Sequence, residues 1–171
     1  MKPDATLDQA KRAAERIRQR RDVAPDQRPT DAWSLVYDSE PLGEDLEILG
    51  LPKARLQASA DAPLAQWFVR LSDVAPDGTV TLVAQAGQNG AHRDSDEFPK
   101  ALEPSREFPL EIEMHFTSWV FPKGHRLRFA VNNAQWPMLW PTPYPVTTTL
   151  RLGPGAQLRL PGGGGRARPQ V

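Results

Sequence analysis

"EIEMHFTSWVFPKGHRLRFAVN", residues 111–132, is the stretch whose reading decides the fold. Glu111–Phe116 alternates polar and apolar at every step, which is the period of a strand and puts Ile112, Met114 and Phe116 on one face. His125–Asn132 alternates in the same way, with Leu127, Phe129 and Val131 facing inward. Between them Pro122-Lys123-Gly124 turns the chain, because proline fixes its own φ and glycine tolerates what other residues avoid. Two half-buried strands are expected here, with those six apolar side chains in a common core.

The same period runs outward from this stretch in both directions. Trp33–Tyr37, Asp45–Leu49, Lys53–Ala60, Ala65–Ser72 and Thr79–Ala86 read as strands before it, and Val146–Leu152 and Gln157–Leu160 after it. Ala65–Ser72 places Trp67, Val69 and Leu71 on one face, and Asp73–Gly78 then makes a turn through Pro76 and the Asp77-Gly78 pair. No helical pattern lies between strands, so a parallel sheet with crossover helices is not expected. Short strands punctuated by turn residues predict an all-β fold, a β-sandwich or jelly roll.

The first residues read differently. Thr6-Leu7-Asp8-Gln9 has the spacing of a helix-starting capping box, and Leu7, Ala10, Ala14 and Ile17 follow at helical spacing. One short basic helix is expected over 7–21, with a proline-bearing linker from Ala24 to Asp31. The chain thus divides into a helix and linker over 1–24, a β domain over 25–161 and a glycine-rich flexible tail over 162–171.

The 171 residues carry 21 basic and 21 acidic side chains, so no overall field points to nucleic acid or to a membrane surface. The +3 of residues 1–29 is balanced by −3 over the remainder, and the arginine run Arg16–Arg21 suits a solvated helix end. With no cysteine there are neither disulfides nor thiolate metal sites. No run is long and apolar enough for a membrane span, and no apolar leader follows Met1. A cytoplasmic setting is the expectation, with no membrane and no nucleic acid among the partners.

Two stretches invite a functional reading. His92-Arg93-Asp94-Ser95 brings an imidazole, an acid and a hydroxyl together. Neighbours on a strand point to opposite faces, which makes a local triad awkward, and no Gly-x-Ser-x-Gly elbow occurs in the chain. The expected role of His92, Arg93 and Asp94 is structural: closing a hairpin and fixing a loop. Asp94-Ser95-Asp96-Glu97 offers oxygen ligands but lacks the glycine and distal glutamate of a calcium loop, and the three histidines show no zinc spacing. No metal and no cofactor are expected. The second stretch, Trp136 to Pro145, alternates aromatics with prolines that forbid a helix or a central strand. Trp136, Met138, Trp140 and Tyr144 seal their own sandwich, face another domain or subunit, or hold a ligand.

Several stretches taken together resemble one family. "YDSEPLGEDLEILGLPKARLQASADAPLAQWFVRLSDVAPDG", "GQNGAHRDS" and "FPKGHRLRFAVNNAQWPMLWPTPYPVTTTLRL" are similar to the C-terminal β domain of cocaine esterase-like and X-prolyl dipeptidyl-peptidase-like serine hydrolases. The likeness runs from about Asp26 to Leu160. It implies a jelly roll of the galactose-binding-like type that holds no triad, the nucleophile, acid and histidine residing in a preceding α/β-hydrolase domain. On that likeness the chain is a non-catalytic accessory domain whose partner is an α/β-hydrolase domain in cis or in trans, or a second copy of itself. A carbohydrate- or ligand-binding β-sandwich module is the alternative.

Overall fold

The fold is seen in a computed structural model that describes residues 26–135 and 139–162. The helix expected over 7–21 and the tail beyond 162 lie outside those residues. Among the described residues ten strands run in chain order: β1 (Leu35–Asp38), β2 (Leu46–Gly50), β3 (Lys53–Ala60), β4 (Gln66–Val74), β5 (Val80–Asn89), β6 (Phe108–Glu113), β7 (Thr117–Phe121), β8 (Arg126–Asn132), β9 (Thr148–Arg151) and β10 (Gln157–Arg159). All pairings are antiparallel. One sheet has the order β1-β8-β4-β5; a second has β10-β3-β6 with β9 also on β3; the small third pairs β2 with β7. The family-level expectation of an all-β sandwich is met.

The alternation that betrayed the strands also builds the core. Val69, Leu71, Leu127 and Phe129 project from the first sheet, Leu56, Leu110 and Ile112 from the second, and Ile48 and Phe121 from the third, into one buried cluster. Across the two main layers Trp67 meets Phe108 edge-on, with ring centroids 5.6 Å apart and planes at 86°, the arrangement that ring quadrupoles favour. Pro109 is tolerated in β6 because that strand is the edge of its sheet, where no ladder partner needs an N–H. Gly78 and Gly124 hold positive φ, 85° and 83°, in the two turns that the sequence marks.

Four expectations need correction. Phe116 is not inward: it is 66% exposed, while Ile112, Met114, Leu127, Phe129 and Val131 are buried. β6 ends at Glu113, and the chain then leaves the second sheet to begin β7 in the third, so the period of two is lost before Phe116 is reached. β7 itself went unread, since its five residues sit between that strand and the proline turn. Trp33 precedes β1 in a turn and is 87% exposed. The linker also proves partly helical: Arg28–Asp31 forms one turn, α1, with Pro29 in its first positions, where no N–H is missed.

That turn has a purpose in the packing. β4 is buried on both faces from Trp67 to Asp73, so its outward residues Phe68, Arg70 and Ser72 must be covered. The segment from Gln27 to Ser34 covers Arg70, whose guanidinium donates to Gln27 Oε1 (3.1 Å), Asp31 Oδ1 (2.9 Å) and Ser34 Oγ (2.9 Å). Arg128 on β8 donates to Asp31 Oδ2 (3.0 Å) and, through two nitrogens, to Asp38 (2.7 Å each). Two arginines and two aspartates therefore balance one another beneath α1. Burial lowers the Arg70 pKa, while hydrogen bonding to Asp38 and Asp31 holds Arg128 well above its ordinary value.

Candidate functional site

His92 to Ser95 follow the end of β5, where the chain enters a single 3₁₀ turn at Gly90–His92. Asn89 caps the turn, its side-chain oxygen accepting from Ala91 N–H at 3.0 Å. The segment does not close a hairpin as expected, because β5 and β6 belong to different sheets and the link between them crosses from one layer to the other. Close packing of that crossover explains Gly90: a Cβ there would lie 2.6 Å from Trp67 Cζ3 and 3.2 Å from the Ala65 carbonyl oxygen.

Arg93 is the fastener of the crossover in atomic terms. Its Nη1 donates to the carbonyls of Gly90 (3.0 Å) and Lys100 (2.9 Å), and its guanidinium carbon lies 5.3 Å from the centre of the Phe108 ring. Asp94 lies 3.5 Å from Arg93 Nε and is largely exposed. His92 Nδ1 donates to the Asp96 carbonyl (3.0 Å), and Gln88 Nε2 donates to the carbonyl of His92 (3.1 Å). Ser95 Oγ accepts from the N–H groups of Glu97 (3.2 Å) and Phe98 (3.1 Å). His92, Arg93 and Ser95 thus engage backbone groups of their own loop, while Asp94 lies against the Arg93 side chain. Among the described residues no three His, Asp or Glu side chains converge as metal ligands.

In the tryptophan–proline stretch, Trp136 and Met138 lie outside the described residues. Gln135 and Leu139 pair through two backbone hydrogen bonds, 2.9 and 2.6 Å. Leu139 turns back onto the sandwich, its methyls 3.6 and 3.7 Å from where a Gly87 Cβ would stand. Trp140 remains 65% exposed and Tyr144 is at the margin of exposure.

A second apolar surface escaped the sequence reading. The β2–β7 register sets Glu47 opposite Val120 and Leu49 opposite Ser118, so Leu49 and Val120 share the outward face while Ile48 and Trp119 turn in. Leu51 and Phe116 adjoin the strand ends, and all four are exposed. Trp119 Nε1 and His125 Nδ1 both donate to the buried Asp73 carboxylate, at 3.2 and 2.8 Å, which pins this small sheet to β4. Neither group stood out in the sequence, because residues 73, 119 and 125 lie far apart along the chain.

Comparison with known proteins supplies the wider setting. Residues 1–164 match the family described as the X-Pro dipeptidyl-peptidase C-terminal non-catalytic domain. Cocaine esterase of Rhodococcus is 31% identical over 114 residues, which cover 66% of this chain and 20% of the esterase. A protein named as a serine esterase in Mycobacterium bovis is 29% identical over 152 residues, covering 75% of this chain and 24% of the relative. Among solved structures, an α-amino acid ester hydrolase superposes with a TM-score of 0.75 at 27% identity, covering 80% of this chain and 27% of that one. An aminopeptidase from a Thaumarchaeota archaeon of marine sediment gives 0.67 at 27% identity, covering 73% and 25%. The chain spans about a quarter of the length of the proteins it matches.

Proposed function

Because the chain belongs to the family of X-Pro dipeptidyl-peptidase C-terminal non-catalytic domains, we propose that it is the accessory β domain of an ester- or amide-cleaving serine hydrolase. Its work is to stabilise an α/β-hydrolase domain and to form one wall of its substrate entrance. The observation that carries this reading is the short span: the relatives are hydrolases, and this chain matches about a quarter of each. The docking surface we assign is the outward face of β2 and β7 with its exposed Leu49, Leu51, Phe116 and Val120, and Trp140 and Tyr144 are further exposed aromatic candidates. Exposed apolar patches of this kind mark interaction sites. His92, Arg93 and Asp94 act in this reading as the brace of the crossover loop.

A chimera tests it. The C-terminal domain of the Rhodococcus cocaine esterase is replaced by this chain, and soluble yield, thermal midpoint and esterase activity are compared with those of the truncated esterase. The accessory reading expects the chimera to be more stable and more active than the truncation, with Leu49→Asp and Val120→Asp removing the gain. A chimera no better than the truncation contradicts it.

A further inference from the structure

The end of β5 carries a reactive dipeptide that the fold itself demands. Gly90 is required because a Cβ there would meet Trp67 Cζ3 at 2.6 Å and Leu102 Cδ1 at 3.1 Å. Asn89 precedes it as the cap of the 3₁₀ turn, its Oδ1 accepting from the Ala91 N–H at 3.0 Å. Close packing and capping thus place asparagine directly before glycine. Asparagine is chemically labile, and most so there, because a glycine amide is the least hindered from attacking the side chain before it. The other asparagines of the chain, Asn132 and Asn133, are followed by residues that carry a Cβ.

The reaction consumes only water. Gly90 N bonds to Asn89 Cγ as its proton passes to a solvent base, the Cγ–Nδ2 bond breaks, and ammonia leaves with a proton in return. Water then opens the five-membered imide at one of its two carbonyls. One opening leaves aspartate. The other leaves isoaspartate, whose main chain runs through the former side chain and is one carbon longer. In the folded chain three features oppose the first step. The Gly90 N–H is given to the Ala65 carbonyl at 2.9 Å, and Gly90 is buried away from the base that must take its proton. The cap fixes the Asn89 side chain over the Ala91 amide. The extended ψ of Asn89, 123°, turns Gly90 N away from that side chain, whereas ring closure needs both on one side. All three lapse together when the crossover lifts from the sandwich. Arg93 ties it down, through the Gly90 and Lys100 carbonyls and the Phe108 ring.

We infer, independently of the accessory-domain reading, that Asn89 is a guarded modification site: it loses its amide through local opening of the crossover, and the isoaspartyl product then holds the crossover open. The two products differ because of the packing around them. Aspartate keeps the oxygen that caps Ala91 and leaves the main chain unchanged, so it reseats. Isoaspartate gives up the side-chain cap and lengthens the main chain just before Gly90, which has no room even for a methyl group. Opening becomes one-way at that point, and the grip of Arg93 on the Gly90 carbonyl and the Phe108 ring is lost with it.

The test follows conversion at each asparagine of the full-length chain by peptide mass, in mildly alkaline buffer with and without urea, with the aspartyl and isoaspartyl forms separated by chromatography. Asn89 is expected to convert first in urea, ahead of Asn132 and Asn133. When folded it should convert at least about tenfold more slowly, since a rate that runs through local opening scales with the open fraction. Arg93→Lys should raise the folded rate about fivefold, the equivalent of one hydrogen bond to a charged group. Hydrogen exchange of the wild-type Gly90 amide measures the open fraction directly, so the guard is tested even if that variant fails to fold: slowing of the folded reaction should match that fraction. After refolding, the aspartyl form should protect the amides of Gly90 and Arg93 as the native chain does, while the isoaspartyl form leaves them exchanging freely. Folded and unfolded chains converting at the same rate, another asparagine leading in urea, or an isoaspartyl form that recovers full protection would each overturn the inference.

Discussion

Arg93 does three things with one side chain: it holds the Gly90 carbonyl, holds the Lys100 carbonyl and lies over the Phe108 ring. A lysine can reach one carbonyl but has no planar fork to share and no flat face to stack. Arg93→Lys is therefore expected to cost about 1 kcal/mol or more in urea unfolding, the scale of hydrogen bonds to charged groups. A change below about 0.5 kcal/mol, that of an ordinary surface substitution, would count against the brace. Asp31 carries a heavier load, since it faces both Arg70 and Arg128 beneath α1. Asp31→Ala strands the almost fully buried Arg70 and should destabilise by about 3–5 kcal/mol, as when one partner of a buried ion pair is removed. An equilibrium loss under about 1 kcal/mol would mean that water or Gln27 takes over the guanidinium. In the sequence Arg93 could be picked out because its loop is dense in polar residues. Asp31 and Arg70 could not, being 39 residues apart and each unremarkable in its local setting.

The strands were legible wherever one face is buried and the other wet, as along β8, because that contrast is written as alternation. They were illegible where the chain changes sheets. Phe116 continues the period of β6 in the sequence but not in space, and β7 has only five residues with which to announce itself. The two phenylalanines give a direct comparison. Phe129→Ala should cost about 3–5 kcal/mol, as for other buried aromatics, while Phe116→Ala should stay within about 0.5 kcal/mol. Equal losses at the two positions would contradict the strand boundary at Glu113. The turns make a separate prediction about acid. The Thr147 N–H on Asp61 and the Thr79 N–H on Asp77 hold both carboxyls below their ordinary value. A depressed native pKa means that the unfolded chain takes up protons first. The stabilisation from these turns is then complete above the unfolded value of about 3.9 and fades as pH falls through the lower native value. Unfolding free energy followed from pH 6 to pH 2 should fall less steeply below pH ~4 in Asp61→Asn than in the wild type. Parallel curves would remove Asp61 from the acid response.

At the scale of the whole molecule, the all-β class and the family were readable from the chain because strand period and turn residues are local signals, and because the quoted stretches keep the family's order. The surfaces were not. Exposure of Leu49, Val120 and Phe116 depends on which strand pairs with which. Trp140 was read as a possible outward residue and is one in the structure, yet its neighbour Leu139 folds back, so one loop serves both purposes.

The central claim is that this chain supports catalysis without performing it. Exposure of the folded protein to a fluorophosphonate probe that reacts only with activated serines tests that claim most directly, with a boiled sample beside it and intact-mass detection of the adduct. The account predicts no adduct in either sample, since Ser95 Oγ is engaged by two backbone N–H groups and His92 Nδ1 by a carbonyl. A serine labelled in the folded protein and not after boiling would show an activated nucleophile and contradict the account.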